Sequence, residues 1–385
     1  MESPLQFEQL PTEVLVDTLA SICDMHCLWN LLLASPASYR VFNRYSEEIF
    51  WPAISDSIVP SQTQEIIRFI LLLRAGAFRK TKLDDIVRKI KDREAGIVLG
   101  KSEELGYDFP TADTSKRPSL SGKRRILSLA AQVHCLSRSC IDHCLNQLAV
   151  ARAEKRADWT GADDQIRRPS WVEEQRVVRA VWRIQLVFEL KRAARSGLVL
   201  CAKDDAADEL NIQAFYDSST SNLKAAYHEV MTAVEYLEHV HGTATPFASR
   251  EGLPPPTWPL YNFSPSSLRM PTTSALRRSS MVLPTDGLWI VDSMSRGAHS
   301  PIKYAGFDPY RALGFAIWDR HRLADMGLAS PPGQGRVTGL GSYFSYWLRL
   351  LSAGDIVKAK EAMREVESQG GRLGPLQPMI QDNES

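Results

Sequence analysis

The chain has no long hydrophobic run, little cysteine and no excess of one charge. No apolar stretch approaches the roughly 20 residues that a membrane-spanning helix needs, and Glu2 and Glu8 stand where a secretory leader would carry a basic flank. Lys and Arg number 46 against 45 Asp and Glu, a formal charge of +1. That balance gives no overall pull toward nucleic acid or an acidic membrane surface, so neither is expected as a partner. Six cysteines in 385 residues, irregularly spaced, read as reduced thiols and place the chain in the cytoplasm or nucleus. A repeat of fixed period is missing, which excludes solenoid and propeller architectures. Missing too are a nucleophile elbow, a phosphate-cradling glycine loop and a cofactor fingerprint, so neither enzymatic activity nor a cofactor is expected. His299 beside Ser300 and His321 near Asp319 are neighbours in sequence only; a loop and a solvated helix face account for them.

What is present is a globular composition, 44% hydrophobic and 24% charged, in a chain long enough for two or three domains. Leu10-Pro11-Thr12-Glu13-Val14-Leu15 opens a helix: proline in a first turn sacrifices no hydrogen bond, and Glu13 sits near the positive end of the helix dipole. Val14, Leu15, Leu19 and Ile22 give it one apolar stripe. Leu28, Leu31 and Leu32 make a second helix, and Ser35 caps a third that begins at Pro36 and carries Tyr39 and Phe42. About 40 residues cannot close a good core alone, so part of these stripes must be covered by the rest of the chain or by a partner.

This segment resembles the F-box, in particular the variant at the start of many filamentous-fungal proteins, where LPTE, an apolar residue and Leu precede a Leu-rich helix and an SPxxY/F-like turn. The resemblance covers roughly the first 50 residues. It implies a three-helix module that docks on the adaptor subunit of a cullin-RING ubiquitin ligase through Leu10, Pro11, Val14, Leu15, Leu19, Leu28 and Leu31. Many F-boxes carry a W-x-x-L or similar aromatic contact after the second helix, where this chain has Tyr39, Phe42 and Phe50-Trp51.

Helical patterns continue over 45–58 and 62–74 and recur over 125–157, 171–186 and 212–241, with polar breaks between them. From Trp171 onward Val178, Val181, Trp182, Gln185 and Phe188 form a seam, beside a row of Arg176, Arg179 and Arg183. Such a row can bind phosphate or nucleic acid, but Glu173, Glu174 and Glu189 on the same helix make ion pairing the better reading. The stretch Glu173–Ile184 is similar to the E-x-x-R-φ-x-R-A-φ-Y/W-R-φ helix that follows the F-box in those fungal proteins and is read as the central core helix; Tyr310–Asp319 with Leu323 and Leu328 reads as the main helix of the last part, and Arg311–Asp319 is similar to a string that closes those proteins. His134, Cys135, Cys140, His143 and Cys144, with Cys23, His26 and Cys27 elsewhere, invite a zinc reading. Tetrahedral sites take paired ligands from two elements, and ordinary half-buried cysteines are the expectation, with no metal.

The expected architecture is mostly α: a trihelical F-box-like module over 1–58 packed on a larger irregular helical domain (59–242), a long Pro/Ser-rich loop (243–285), a C-terminal helical part of that domain (286–370) and a disordered tail (371–385). Arg277-Arg278-Ser279-Ser280 in the loop fits a basophilic kinase, although a solvated basic loop suffices. The function expected is that of a non-catalytic substrate-recognition subunit holding an unknown target protein. A scaffold whose F-box-like helices are sequestered is the alternative, and an unrecognised enzyme with a pocket near Trp182 and the arginine row the third.

Overall fold

The computed structural model describes residues 7–22, 24–55, 60–94, 118–154, 168–202, 206–216, 221–242, 250–256, 286–297, 300–331 and 340–368. Among them the regular elements are helices, with one isolated bridge between Lys82 and Leu200. The mostly α expectation holds. The chain divides into two compact units, Met1–Asp142 with Ser170–Leu283 and His143–Pro169 with Pro284–Ser385. Sequence reading sets 286–370 in one domain with 59–242; the structure groups it instead with 143–169, a pairing that no local pattern announces.

In the first unit a single helical turn, Phe7–Gln9, precedes α1 (Thr12–Ala20), α2 (Met25–Ala34), α3 (Pro36–Arg44) and α4 (Ser46–Ser55). Ser35 caps α3 by accepting the Ser38 N–H at 3.1 Å, and Pro36 takes the first helical position, as its fixed φ favours. Pro11 stands at the cap of α1, one residue before its first turn, with its carbonyl accepting the Leu15 N–H at 3.0 Å. Glu8 supplies a second cap to α3: its carboxylate accepts from Ser35 Oγ at 2.5 Å and from the Ala37 N–H at 3.0 Å, negative charge at the positive end of the helix. Helices α1 and α2 both pack on α3 and α4, around buried Leu15, Leu19, Leu28, Leu32, Phe42 and Phe50.

Next come α5 (Ser61–Arg74), α6 (Leu83–Glu94) and the 35-residue α7 (Leu120–Glu154), of which residues up to Asp142 belong to this unit. The central element is α8 (Trp171–Arg195), started by a capping box in which Ser170 and Glu173 satisfy each other's backbone N–H groups. After α9 (Ala206–Glu209) and α10 (Ile212–Tyr216), α11 (Ser221–His241) packs on α8 from one side while α5 packs from another. Most of α8 from Val177 to Ala193 is buried. A helix covered on so many sides has no solvated face for its charges, so they must be neutralised inside.

The second unit, besides the end of α7, holds α12 (Asp286–Met294), α13 (Pro301–Ala305), α14 (Asp308–Arg311), α15 (Arg320–Asp325), α16 (Leu340–Leu350) and α17 (Ala353–Ser368). Its core is aromatic: Tyr310, Phe315, Trp318 and Trp347 are buried, and their polar atoms reach backbone carbonyls, Tyr310 Oη to Trp347 O at 3.1 Å, Trp347 Nε1 to Leu328 O at 2.9 Å and Trp318 Nε1 to Leu313 O at 2.7 Å. The single helix expected from Tyr310 to Leu328 is broken. Gly314 adopts φ +81°, and the Trp318 ring lies 2.5 Å from where a Cβ on it would be, so the chain turns there and Asp319 caps a new helix by accepting the Arg322 N–H at 3.0 Å.

Candidate protein-docking site

The structure divides in two the seven residues expected to dock. Leu15, Leu19 and Leu28 are buried inside the module, the last two at 0% exposure, and hold it together. Pro11 and Val14, one helical turn apart, are exposed, Val14 at 44%, and Leu10 and Leu31 are half-buried. The split follows from helical spacing: residues 15 and 19 share the face of α1 turned to the module core, and residues 11 and 14 share another. Leu33, 64% exposed, and half-buried Trp29 add apolar surface on α2 that sequence reading left out, because nothing in a leucine run marks which leucine faces outward. Glu13 and Asp17 are exposed beside Val14, which gives the α1 surface an acidic margin.

The arginine row pairs, as expected, but with other helices. Arg179 places both nitrogens of its fork on Glu229 of α11, Nη2 at 2.7 Å from Oε1 and Nε at 3.3 Å from Oε2, and donates from Nη1 to Gln62 at 2.6 Å. Arg183 reaches Glu229 Oε2 at 2.7 Å and grips Glu94 of α6 with Nε at 2.9 Å and with Nη2. Burial acts to raise the Glu229 carboxyl, but the Arg179 and Arg183 guanidiniums outweigh it and hold the group below its usual range. On the same helix Glu174 pairs with Arg138 of α7, and Glu189 with Arg74 of α5 as well as Arg192. The pocket imagined around Trp182 is instead a packed interior; the cavity alongside, bordered by Gln62, Glu94 and Leu186, holds about 220 Å³.

The two His/Cys groups do meet. Asp24, His26 and Cys27 have ligand-type atoms within 4.8 Å of one another, and the His134 ring of α7 stacks on His26 with centroids 4.0 Å apart and planes at 13°. The first three gather because they share the start of α2, where the Asp24 carboxylate caps the helix by accepting the His26 N–H at 2.9 Å. Imidazole lone pairs lie in the ring plane, so two nearly parallel rings aim theirs in parallel sheets and do not converge on one ion. Partial burial of the thiol and the Asp24 carboxylate that accepts its hydrogen bond push Cys27 up to about 12, far from a thiolate. Burial lowers His26, and burial, with His26 and Arg138 adding to it, lowers His134 to about 4. Both rings are therefore neutral at neutral pH. Cys140 and Cys144 are buried on one face of α7, as their spacing requires, and Cys135 lies off it. Cys23, His299, Ser279 and Ser280 lie outside the described residues, as do 371–385 and most of 243–285, and His321 is exposed.

No helix among the described residues is long and apolar enough to cross a membrane. No family model matches this chain, and neither a curated protein nor a solved structure does.

Proposed function

We propose that this chain is a non-catalytic F-box-like protein: its N-terminal module docks on the adaptor subunit of a cullin-RING ubiquitin ligase, and its remaining helices hold a target protein for ubiquitination, in the cytoplasm or nucleus. The observation that carries this reading is the outward side of α1, where Pro11 and Val14 stay exposed next to a module whose own core is closed by Leu15, Leu19 and Leu28. A three-helix unit that has already buried its core and still presents apolar residues has surface to share. The mechanism is proximity: a bound target is held at high effective concentration near the conjugating enzyme, so the chain needs two interfaces and no chemistry of its own.

Docking would bury Val14, Pro11 and the uncovered parts of Leu10 and Leu31. At about 25 cal/mol per Å², a half-exposed valine contributes about 1 kcal/mol, so several such residues are needed for a stable complex. Pulldown of the adaptor by the full chain tests the reading, with Leu10→Ala/Pro11→Ala as the variant: helicity stays unchanged and the adaptor is lost. Full retention refutes the assignment. The packing of α4 against α1, α2 and α3 favours the rival scaffold reading, since it covers one side of the module from within the chain; a wild-type chain that captures no adaptor would establish that rival.

A further inference from the structure

A polar recess of the first unit is lined by residues other than those of the proposed docking face. It is a cleft of about 660 Å³ between the end of α5, the start of α7 and the last turns of α8, with Gly252 and Leu253 at its rim. That volume suits a small molecule. The rim is built on purpose by side chains: Gln132 Nε2 donates to Leu253 O at 3.1 Å and to Pro254 O at 2.7 Å, and Arg192 Nη2 donates to Glu251 O at 3.3 Å. The charged residues lining the cleft are Arg74, Arg125 and Arg192 against Glu189, a net of two positive charges.

These arginines are not spent alike. Glu189, 2% exposed, accepts from Arg74 Nη2 at 2.5 Å, from Arg192 Nη1 at 3.2 Å and from Gln185 Nε2 at 2.7 Å, so one carboxylate anchors two guanidiniums at the inner wall. Arg74 Nε is buried and has no acceptor among the described residues. Arg125 is exposed and has no ion-pair partner among the described residues. Ser119, Ser121 and Gly122 bring the start of α7 to the same cleft, where Ser119 Oγ accepts the Gly122 N–H at 3.2 Å and shares a hydrogen bond with Ser121 Oγ at 2.9 Å. The ends of α5 and α8 border the cleft as well, with the Leu71 and Leu73 carbonyls accepting from Ala75 and Gly76 and the Arg192 and Ala193 carbonyls from Ser196 and Leu198. Three guanidiniums against one carboxylate, with serine hydroxyls beside them, form a donor set that suits a phosphate dianion.

We propose that this cleft binds a phosphate monoester dianion, with Arg125 and Arg192 as its cationic contacts and Glu189, itself held by Arg74, positioning Arg192. Two sources share that chemistry, free phosphate and a small phosphorylated organic molecule. Isothermal titration calorimetry of the full chain with inorganic phosphate, glucose 6-phosphate and glucose separates them. Saturable binding at one site is expected for glucose 6-phosphate and absent for glucose. Equal affinity for inorganic phosphate assigns the site to the free ion, and weaker affinity assigns it to a phosphorylated organic molecule; either supports the proposal. Arg125→Ala, a change at an exposed side chain without an ion-pair partner among the described residues, is expected to weaken binding at least tenfold, consistent with the loss of a charge-assisted contact. Arg88→Ala, an exposed arginine on α6, is expected to leave it unchanged. Thermal unfolding of both variants without ligand checks that they fold. No saturable binding of either phosphate, equal binding of glucose, or equal losses in the Arg125 and Arg88 variants overturns the proposal.

Discussion

Removing Glu229 from the interior of the first unit leaves Arg179 and Arg183, 2% and 3% exposed, with the half-buried Glu94, which pairs with Arg183, as the remaining carboxylate. Truncating one member of a buried ion network typically costs about 3 to 5 kcal/mol, because the surviving charge keeps its desolvation penalty without its partner. Glu229→Leu is expected to fall in that range, which for a unit of this size lowers Tm by about 10 °C. The double change Arg179→Met/Glu229→Leu deletes one positive and one negative charge, leaves Arg183 on Glu94, and fills the space with apolar atoms; it is expected to recover most of the loss. Urea unfolding followed by far-ultraviolet circular dichroism measures both. A single substitution costing under about 1 kcal/mol, or a double substitution no better than the single, would refute the argument that charge balance holds α8 against α6 and α11.

Acid should loosen the contact between α2 and α7. The His26 and His134 rings titrate below their ordinary 6.5 in the folded chain, His134 at about 4, so between those values the unfolded chain binds more protons and stability falls as pH falls. For His134 alone that gap corresponds to about 3 kcal/mol at most, flat above pH 6.5 and lost on the way to pH 4. His134→Leu should flatten the profile measured by unfolding across that range, with Asp24 and Arg138 left as the charged neighbours; an unchanged slope contradicts the assignment. In the second unit Gly287→Ala should destabilise by more than 2 kcal/mol, since a Cβ there would lie 2.4 Å from the Phe315 carbonyl oxygen, which is backbone and cannot swing away. Calorimetric unfolding that shows no loss would mean that α12 and the 310–318 turn are free to part.

Helix positions were legible because apolar spacing is a local property: α5, α7 and α8 fall where periodicity sets them, the helical pattern over 212–241 is shared between α10 and α11, and Ser35-Pro36 starts α3 as its chemistry dictates. What stayed hidden depends on contacts far apart in sequence. Glu229 lies 46 residues from Arg183 and Glu94 lies 89, so a search for partners on the same helix could find the need for neutralisation but not what meets it. Gly314 reads as one residue inside an apolar run until the Trp318 ring is seen to occupy the space of its absent side chain. Val14 and Leu15 are adjacent apolar residues with opposite fates, and only the packing of α1 on α3 and α4 tells the exposed residue from the core residue. The cleft was illegible for the same reason, since Arg74, Arg125 and Arg192 share no motif.

The affinity of the purified full chain for the purified adaptor subunit tests the docking account most directly, measured by biolayer interferometry for wild type, Val14→Asp and, as an exposed apolar position elsewhere, Leu200→Asp. Saturable binding that Val14→Asp weakens at least tenfold and Leu200→Asp leaves alone is the predicted result. A wild-type chain that does not bind, or a Val14→Asp chain that binds as tightly as wild type, contradicts it.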